Sequence, residues 1–153
     1  MNIIKIFVIS SIIMISSCGY KIVNNIDESN LQIVKTVFKG DNKINQKLDT
    51  NYKRFFDNKN ATKFIKIITN SRTIKKVTSK DISGNDNGYS LEIIVSLEVY
   101  ENEKILNDFK INKKINYNNL SSQFELKQYE KTLTNDLITL ILIDINNYLL
   151  SIK

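Results

Sequence analysis

Tyr89–Tyr100 reads YSLEIIVSLEVY, and its apolar residues fall at every second position. Successive side chains of a β-strand point to opposite faces, so this alternation predicts a strand with one apolar and one mostly polar face. The apolar positions are Tyr89, Leu91, Ile93, Val95, Leu97 and Val99. A short segment, ENEK at Glu101–Lys104, has the length of a turn.

A second alternating segment follows that turn and completes a hairpin. Its apolar positions are Phe109, Ile111, Ile115 and Tyr117, and they alternate with Asp108, Lys110, Lys114 and Asn116. Two amphipathic strands joined by a few turn residues are typical of an antiparallel pair. The sequence therefore predicts a β-hairpin with one apolar face.

Two further strands are predicted upstream of the hairpin. Thr62–Thr78 is rich in β-branched residues, and the turn-rich segment Asp81–Gly88 separates it from the hairpin. Leu31–Phe38 forms the first strand. Strict alternation would place Leu31, Ile33 and Lys35 on one of its faces and Val34 with Phe38 on the other.

A first helix is predicted over 42–57, after the break at Gly40-Asp41. Asp41 is a candidate N-cap residue. The apolar residues recur at spacings of three and four along one stripe: Ile44, Leu48, Tyr52, Phe55 and Phe56.

A second helix is predicted from Ser122, which forms a capping box with Glu125, to about Leu150. The predicted inward positions are Leu126, Tyr129, Leu133, Leu137, Leu140, Ile141, Ile145 and Tyr148. Between Leu137 and Ile145 this helix is apolar nearly all round. Two interpretations stay open, namely deeper burial under the sheet and a surface for a partner.

The order β-α-β-β-β-α defines the expected fold. A helix between the first two strands favours a parallel crossover, and the other strands form a meander. Because the hairpin has one polar face, both helices should cover the other face. The fold class is therefore α+β, a two-layer sandwich of a four-stranded mixed sheet with two helices on one face. It is expected as a single domain over 31–153.

Residues 1–17 have the pattern of a signal peptide. Lys5 supplies a thin positive segment, and a ten-residue apolar stretch, Ile6–Ile15, is broken only by two serines. That stretch is shorter than the ~20 residues that a membrane-spanning helix needs.

The junction Ile15-Ser16-Ser17-Cys18 resembles a bacterial lipobox, in which the cysteine thiol is acylated with diacylglycerol before cleavage. Cys18 is the only cysteine. It is therefore the candidate lipidation site, with 18–30 as a lipidated tether. Gly19 follows where an aspartate would favour inner-membrane retention, so a periplasm-facing anchor in the outer membrane is expected. An ordinary signal peptide and an uncleaved anchor are the alternatives.

The composition argues against most kinds of catalytic and metal site. The chain has no histidine, which excludes a Ser-His-Asp triad, a Cys-His pair and the usual zinc sites. No pair of carboxylates stands out for acid–base work, so a non-enzyme without metal or cofactor is expected. A carboxylate hydrolase is the third alternative. The net charge of +6 comes from residues scattered along the whole chain, so no nucleic-acid partner is expected.

Cys18-Gly19-Tyr20, together with a hairpin that leads into INYNNLSSQFELKQYEKTLTNDL (Ile115–Leu137), resembles the LPS-assembly lipoprotein family LptE. The positions that carry this resemblance downstream are Tyr117, Asn118, Phe124, Glu130 and Asn135. The family's proline-containing triplet is missing from KIVNN, Lys21–Asn25.

The resemblance implies a plug and assembly partner of the outer-membrane β-barrel LptD, in a complex that inserts lipopolysaccharide into the outer leaflet. It implies partners of three kinds, the barrel, lipopolysaccharide and the membrane, and no bond made or broken. Arg72, Lys75 and Lys76 are the candidate contacts to lipid phosphates, with a solvated strand edge as the alternative. The second functional hypothesis is an unrelated lipid-anchored binding or scaffold lipoprotein, pilotin-like or a transport auxiliary.

Overall fold

A computed structural model describes residues 30–152 of the chain. The predicted signal peptide, Cys18 and the tether up to residue 29 lie outside the described residues. Six elements occur in the predicted order: β1 (Leu31–Gly40), α1 (Asn42–Phe55), β2 (Lys63–Lys80), β3 (Asp86–Glu101), β4 (Lys104–Asn118) and α2 (Gln123–Ser151).

The four strands form one sheet in the order β1-β2-β3-β4. β1 pairs in parallel with β2, and the other two pairs are antiparallel, as predicted from the crossover and the meander. The β3–β4 turn places Asn102 at φ 47° and Glu103 at φ 66°. A two-residue turn with positive φ at both positions matches the right-handed twist of a hairpin.

The core lies between the sheet and the two helices, and α1 packs over β1 and β2 while α2 packs over β3 and β4. The predicted α+β sandwich is therefore confirmed. All six apolar positions of the strand YSLEIIVSLEVY are buried, and five of them (Leu91, Ile93, Val95, Leu97 and Val99) are less than 5% exposed. Ile65 and Ile67 of β2 extend the same layer beneath α1. At roughly 25 cal/mol per Å² of apolar surface removed from water, this layer supplies the main driving force for folding.

β1 departs from strict alternation. Its register against β2 shifts between Ile33 and Lys35, so Val34 is an extra residue at a bulge. Ile33 and Phe38 consequently lie on the same face, towards α1, where the ring of Phe38 stacks at 6.2 Å on Tyr52. The prediction that placed Ile33 and Phe38 on opposite faces was wrong, because one inserted residue reverses the alternation beyond it. Val34 is 59% exposed.

The β1–α1 junction depends on Gly40 and Asp41. Gly40 has φ +90°, and a Cβ atom there would lie 1.8 Å from the carbonyl oxygen of Ser71. The Asp41 side chain caps α1, since its Oδ1 accepts from the backbone N–H of Lys43 at 2.9 Å and of Ile44 at 3.3 Å. The predicted break and N-cap are confirmed.

α2 begins after Ser122, whose hydroxyl accepts from the N–H of Glu125 at 3.3 Å. Its buried stripe differs in part from the predicted one: Tyr129 and Leu140 are about half exposed, whereas Ile138 and Leu149 are buried. Leu140, Ile143 and Leu150 form an outward stripe, so deeper burial does not account for the apolar character of these three residues. Within residues 30–152, neither helix combines the length and the apolar character that crossing a membrane requires.

Candidate functional site: two cationic surfaces

The structure separates the three basic residues predicted from the sequence. Lys75 points towards the helices, because its Nζ lies 2.6 Å from Glu130 Oε1 of α2 and 4.2 Å from the ring centre of Tyr89. Arg72 and Lys76 are exposed and, by the alternation of the strand, lie on the opposite face of the sheet. Only Arg72 and Lys76 therefore share a surface.

Lys75 is part of a cluster of polar contacts between the sheet and α2. Glu130 Oε1 also accepts a hydrogen bond from the Tyr117 hydroxyl at 2.8 Å. Burial, together with the neighbouring Glu130 carboxylate, raises the pKa of Tyr117 above its ordinary value, which keeps the phenol neutral as a donor. The ring of Tyr117 stacks at 5.5 Å on Tyr89. Lys75 is thus already engaged with a carboxylate and an aromatic face.

The first cationic surface is the sheet face turned away from the helices. Arg72 and Lys76 of β2 share it with Lys110 and Lys114 of β4, with β3 between them. Glu92 lies within the same surface and accepts from Asn112 Nδ2 at 2.7 Å. This face carries positive charge interrupted by acidic side chains, in the pattern of a solvated surface.

The second cationic surface is a groove of about 840 Å³ between α1 and α2. Five basic residues line it: Lys43, Lys47, Arg54, Lys127 and Lys131. Phe55, Ile138 and Leu142 supply apolar lining, and the Arg54 guanidinium lies 5.3 Å from the centre of the Phe55 ring. The one acidic residue in the lining is Glu130, whose charge the Lys75 ammonium offsets.

Asn51 gives the groove a polar feature. Its side chain is only 9% exposed, and its Oδ1 has no hydrogen-bond partner. A buried acceptor without a partner costs free energy. The cationic and apolar lining of the groove suits an amphipathic anion, whose charge would meet the basic side chains while its hydrocarbon lies against Phe55, Ile138 and Leu142.

Sequence reasoning missed this groove, although one signal was available. Lys43 and Lys47, like Lys127 and Lys131, are four residues apart and so lie on one face of their helix. What the spacing does not show is that the two faces lie on either side of one groove. No group of three or more Asp, Glu, Cys or His side chains comes together within residues 30–152.

No protein-family model matches the sequence, and no curated protein is significantly similar to it. The fold is similar to that of several solved lipoproteins. Rare lipoprotein B from Shewanella oneidensis matches with a TM-score of 0.56 at 14% identity, over 76% of this chain and 94% of that one. A minor lipoprotein from Acinetobacter baumannii matches with 0.58 at 11% identity, over 79% and 93% of the two chains.

Lipoprotein B from Nitrosomonas europaea matches with a TM-score of 0.55 at 15% identity, over 83% of this chain and 87% of that one. At these identities the similarity establishes the shared fold. It defines a class, the β-α-β-β-β-α sandwich found in these lipoproteins, and the chain has that fold.

Proposed function

We propose that the chain is an outer-membrane lipoprotein of lipopolysaccharide transport and acts as plug and assembly partner of the LptD β-barrel. One observation carries the proposal. The residues around Cys18 and the final helix resemble the LptE family, which implies a specific sandwich, and the chain has this sandwich in common with solved lipoproteins.

The proposed anchor is the acylated Cys18 at the start of the mature chain. Two or three acyl chains, at ~0.8 kcal/mol for each buried methylene, are enough to hold a domain firmly on a bilayer. Residues 18–30 then serve as the tether that keeps the sandwich on the periplasmic side of the outer membrane. An enzymatic role has no part in this proposal.

The proposed work of the domain is steric and electrostatic. Its outward α2 stripe, Leu140, Ile143 and Leu150, offers an apolar surface that a partner can cover. The cationic groove, together with Arg72 and Lys76 on the far face of the sheet, offers charge to the phosphates of lipid A. Lys75, being held by Glu130, has the smallest part in phosphate binding.

Co-purification from detergent-solubilised membranes tests this function. The tagged chain should recover a large outer-membrane β-barrel, identified by mass spectrometry. A variant with Leu140→Asp and Ile143→Asp should recover less barrel, because charge on the α2 stripe opposes burial. The matched control, Gln128→Asp with Thr132→Asp, adds the same charge at exposed positions nearer the start of α2 and should recover as much barrel as the unmodified chain. Recovery of the protein alone would contradict the proposal. Recovery with another partner would favour the scaffold hypothesis.

A further inference from the structure

One end of the sandwich contains the first described residues and the ends of several strands. β1 and β2 begin there side by side, with Leu31 opposite Lys63, and the turn that joins β3 to β4 lies at the same end. α2 also finishes there, because Tyr148 near its last turn stacks at 4.1 Å on Phe109 near the start of β4. We call this the tether end, since residues 1–29 lead into it.

Exposed apolar side chains form a rim around the tether end. They are Val34 (59% exposed), Phe64 (51%), Ile105 (63%), Leu106 (42%) and Leu150 (51%). They belong to β1, β2, β4 and α2, and no single face of the sheet or helix contains them all. What they share is the end of the molecule, where they surround the charged β3–β4 turn, Glu101–Lys104. In an end-on contact this turn would meet the lipid headgroups and the apolar side chains around it would meet the bilayer surface.

We propose that this rim rests on the lipid bilayer, so that the partner-free protein stands end-on on the membrane to which it is anchored. The inference rests on the proposed acylation of Cys18. It goes beyond that function because it assigns a second, non-covalent membrane contact to the folded domain. The occupant is a lipid surface, and the position of the tether is what selects it.

The length of the tether supports this choice of surface. Residues 18–30 span at most about 45 Å when fully extended. α2 alone, with 29 residues, is about 43 Å long. If the opposite end rested on the bilayer, the tether would have to cover the length of the helix and be almost fully extended, whereas contact through the rim requires no such extension.

The opposite end provides an internal comparison, because it too has exposed apolar residues. Ile82 lies in the β2–β3 turn and Phe124 at the start of α2, and both are more than 70% exposed. Apolar exposure alone therefore does not distinguish the two ends. The tether does, and it gives a definite orientation with Phe124 away from the bilayer.

Side chains next to the rim suit the polar–apolar boundary of a membrane. Lys66 holds its ammonium 5.1 Å from the ring centre of Tyr100, whose hydroxyl donates to Glu98 Oε2 at 2.7 Å. Tyrosine rings and lysine stems place apolar carbon below and a polar group above, and both are favoured at the level of lipid headgroups. In the sheet register Tyr100 lies opposite both Lys66 and the rim residue Ile105, so this pair is level with the rim.

The chain contains no tryptophan, so each introduced tryptophan is a unique depth probe. The experiment reconstitutes the full chain into phosphatidylcholine vesicles with brominated acyl chains, in three variants: Leu106→Trp, Phe64→Trp and, as the matched control, Phe124→Trp. All three positions are exposed, so the substitutions leave the core unchanged. Far-ultraviolet circular dichroism confirms that each variant is folded.

The proposal expects Trp fluorescence at positions 106 and 64 to lose most of its intensity and to shift to the blue, with position 124 unaffected. Equal quenching at all three positions, or quenching at position 124 alone, would overturn it. Absence of quenching at any position in protein that floats with the vesicles would also overturn it, because the domain would then hang free on its tether.

This experiment can refute the proposed lipid anchor and the proposed orientation independently of each other. If the purified chain proves unacylated, the proposed lipidation is wrong, and the free Cys18 thiol is coupled instead to a maleimide lipid in the same vesicles. The bilayer is then attached at the same residue, and the three fluorescence readouts keep the meanings given above. The rim is tested in either case.

Discussion

Gly40 has the least freedom to change among the described glycines. Its φ of +90° disfavours any residue with a Cβ, and the added atom would meet the Ser71 carbonyl oxygen at 1.8 Å. We expect Gly40→Ala to lower the free energy of unfolding by roughly 3 kcal/mol or more. Gly84 is the matched control, because it has φ +84° but open space around the added atom. Gly84→Ala should cost about 1 kcal/mol. Urea denaturation measures both, and equal losses would contradict the close approach of β1 to β2.

The phenol of Tyr117 makes the stability of the fold depend on pH. Tyr117→Phe removes the hydrogen bond to Glu130 and should cost about 1 kcal/mol near neutral pH. The folded-state pKa of the phenol is raised above its unfolded value near 10, so its contribution is complete below that value and is lost as pH rises through the folded pKa. The stability difference between wild type and Tyr117→Phe should therefore shrink above about pH 10. A difference that grows with alkaline pH would contradict the assignment.

The N-cap residues Asp41 and Ser122 stabilise the starts of the two helices. Asp41 accepts two backbone N–H bonds at the start of α1, and its Oδ2 also accepts from the Thr73 hydroxyl at 2.9 Å. Ser122 accepts one backbone bond of 3.3 Å at the start of α2. Asp41→Ala should therefore cost about 1–2 kcal/mol, and Ser122→Ala about half as much. Thermal unfolding measures the order, and a larger loss for Ser122→Ala would be inconsistent with it.

Reversing the charge of basic residues on α2 tests whether the groove between the helices binds phosphate. If phosphates of lipopolysaccharide bind in the helix groove, Lys127→Glu with Lys131→Glu should weaken binding to lipopolysaccharide aggregates at low salt by about tenfold or more. Lys59→Glu with Lys104→Glu, at exposed positions outside both cationic surfaces, changes the net charge equally and is the matched control. Fluorescence titration measures both. Equal weakening would indicate that net charge, and not the groove, governs binding.

How well the sequence predicted each helix and strand depended on how regular its spacing of apolar residues is. The alternation from Tyr89 to Val99 predicted a strand whose inward face is entirely buried, because side-chain period and burial coincide there. The bulge at Val34 was not visible, since an inserted residue leaves no mark in composition. On α2 the inward stripe was misplaced at Leu140, because a helix that is apolar nearly all round does not specify which side faces the sheet.

At the scale of the molecule, the order of elements predicted the sandwich, because a helical crossover and a meander leave few ways to build one sheet. The helix groove was beyond prediction, since it arises where α1 and α2 come together from distant parts of the chain. The predicted phosphate contacts were separated for a similar reason. Adjacent sequence positions such as Lys75 and Lys76 lie on opposite faces of a strand, and Glu130 engages only one of them.

The anchor is separate from the fold in this account, so removing it should leave the fold intact. Cys18→Ala should release the protein from the membrane, with a circular dichroism spectrum and a melting temperature like those of the unmodified domain. Cell fractionation measures the release. A mutant that stays bound to the membrane with residues 1–17 uncleaved would support the signal-anchor alternative.

A sandwich that acts against a partner from a lipid anchor carries that lipid on the first peptide of the native protein, so the mass of this peptide tests the anchor. We predict a mature chain that starts at Cys18 and carries a diacylglyceryl group on the thiol with a further acyl group on the amine. A first peptide that contains residues 1–17, or a Cys18 with an unmodified thiol, would contradict the proposed anchor.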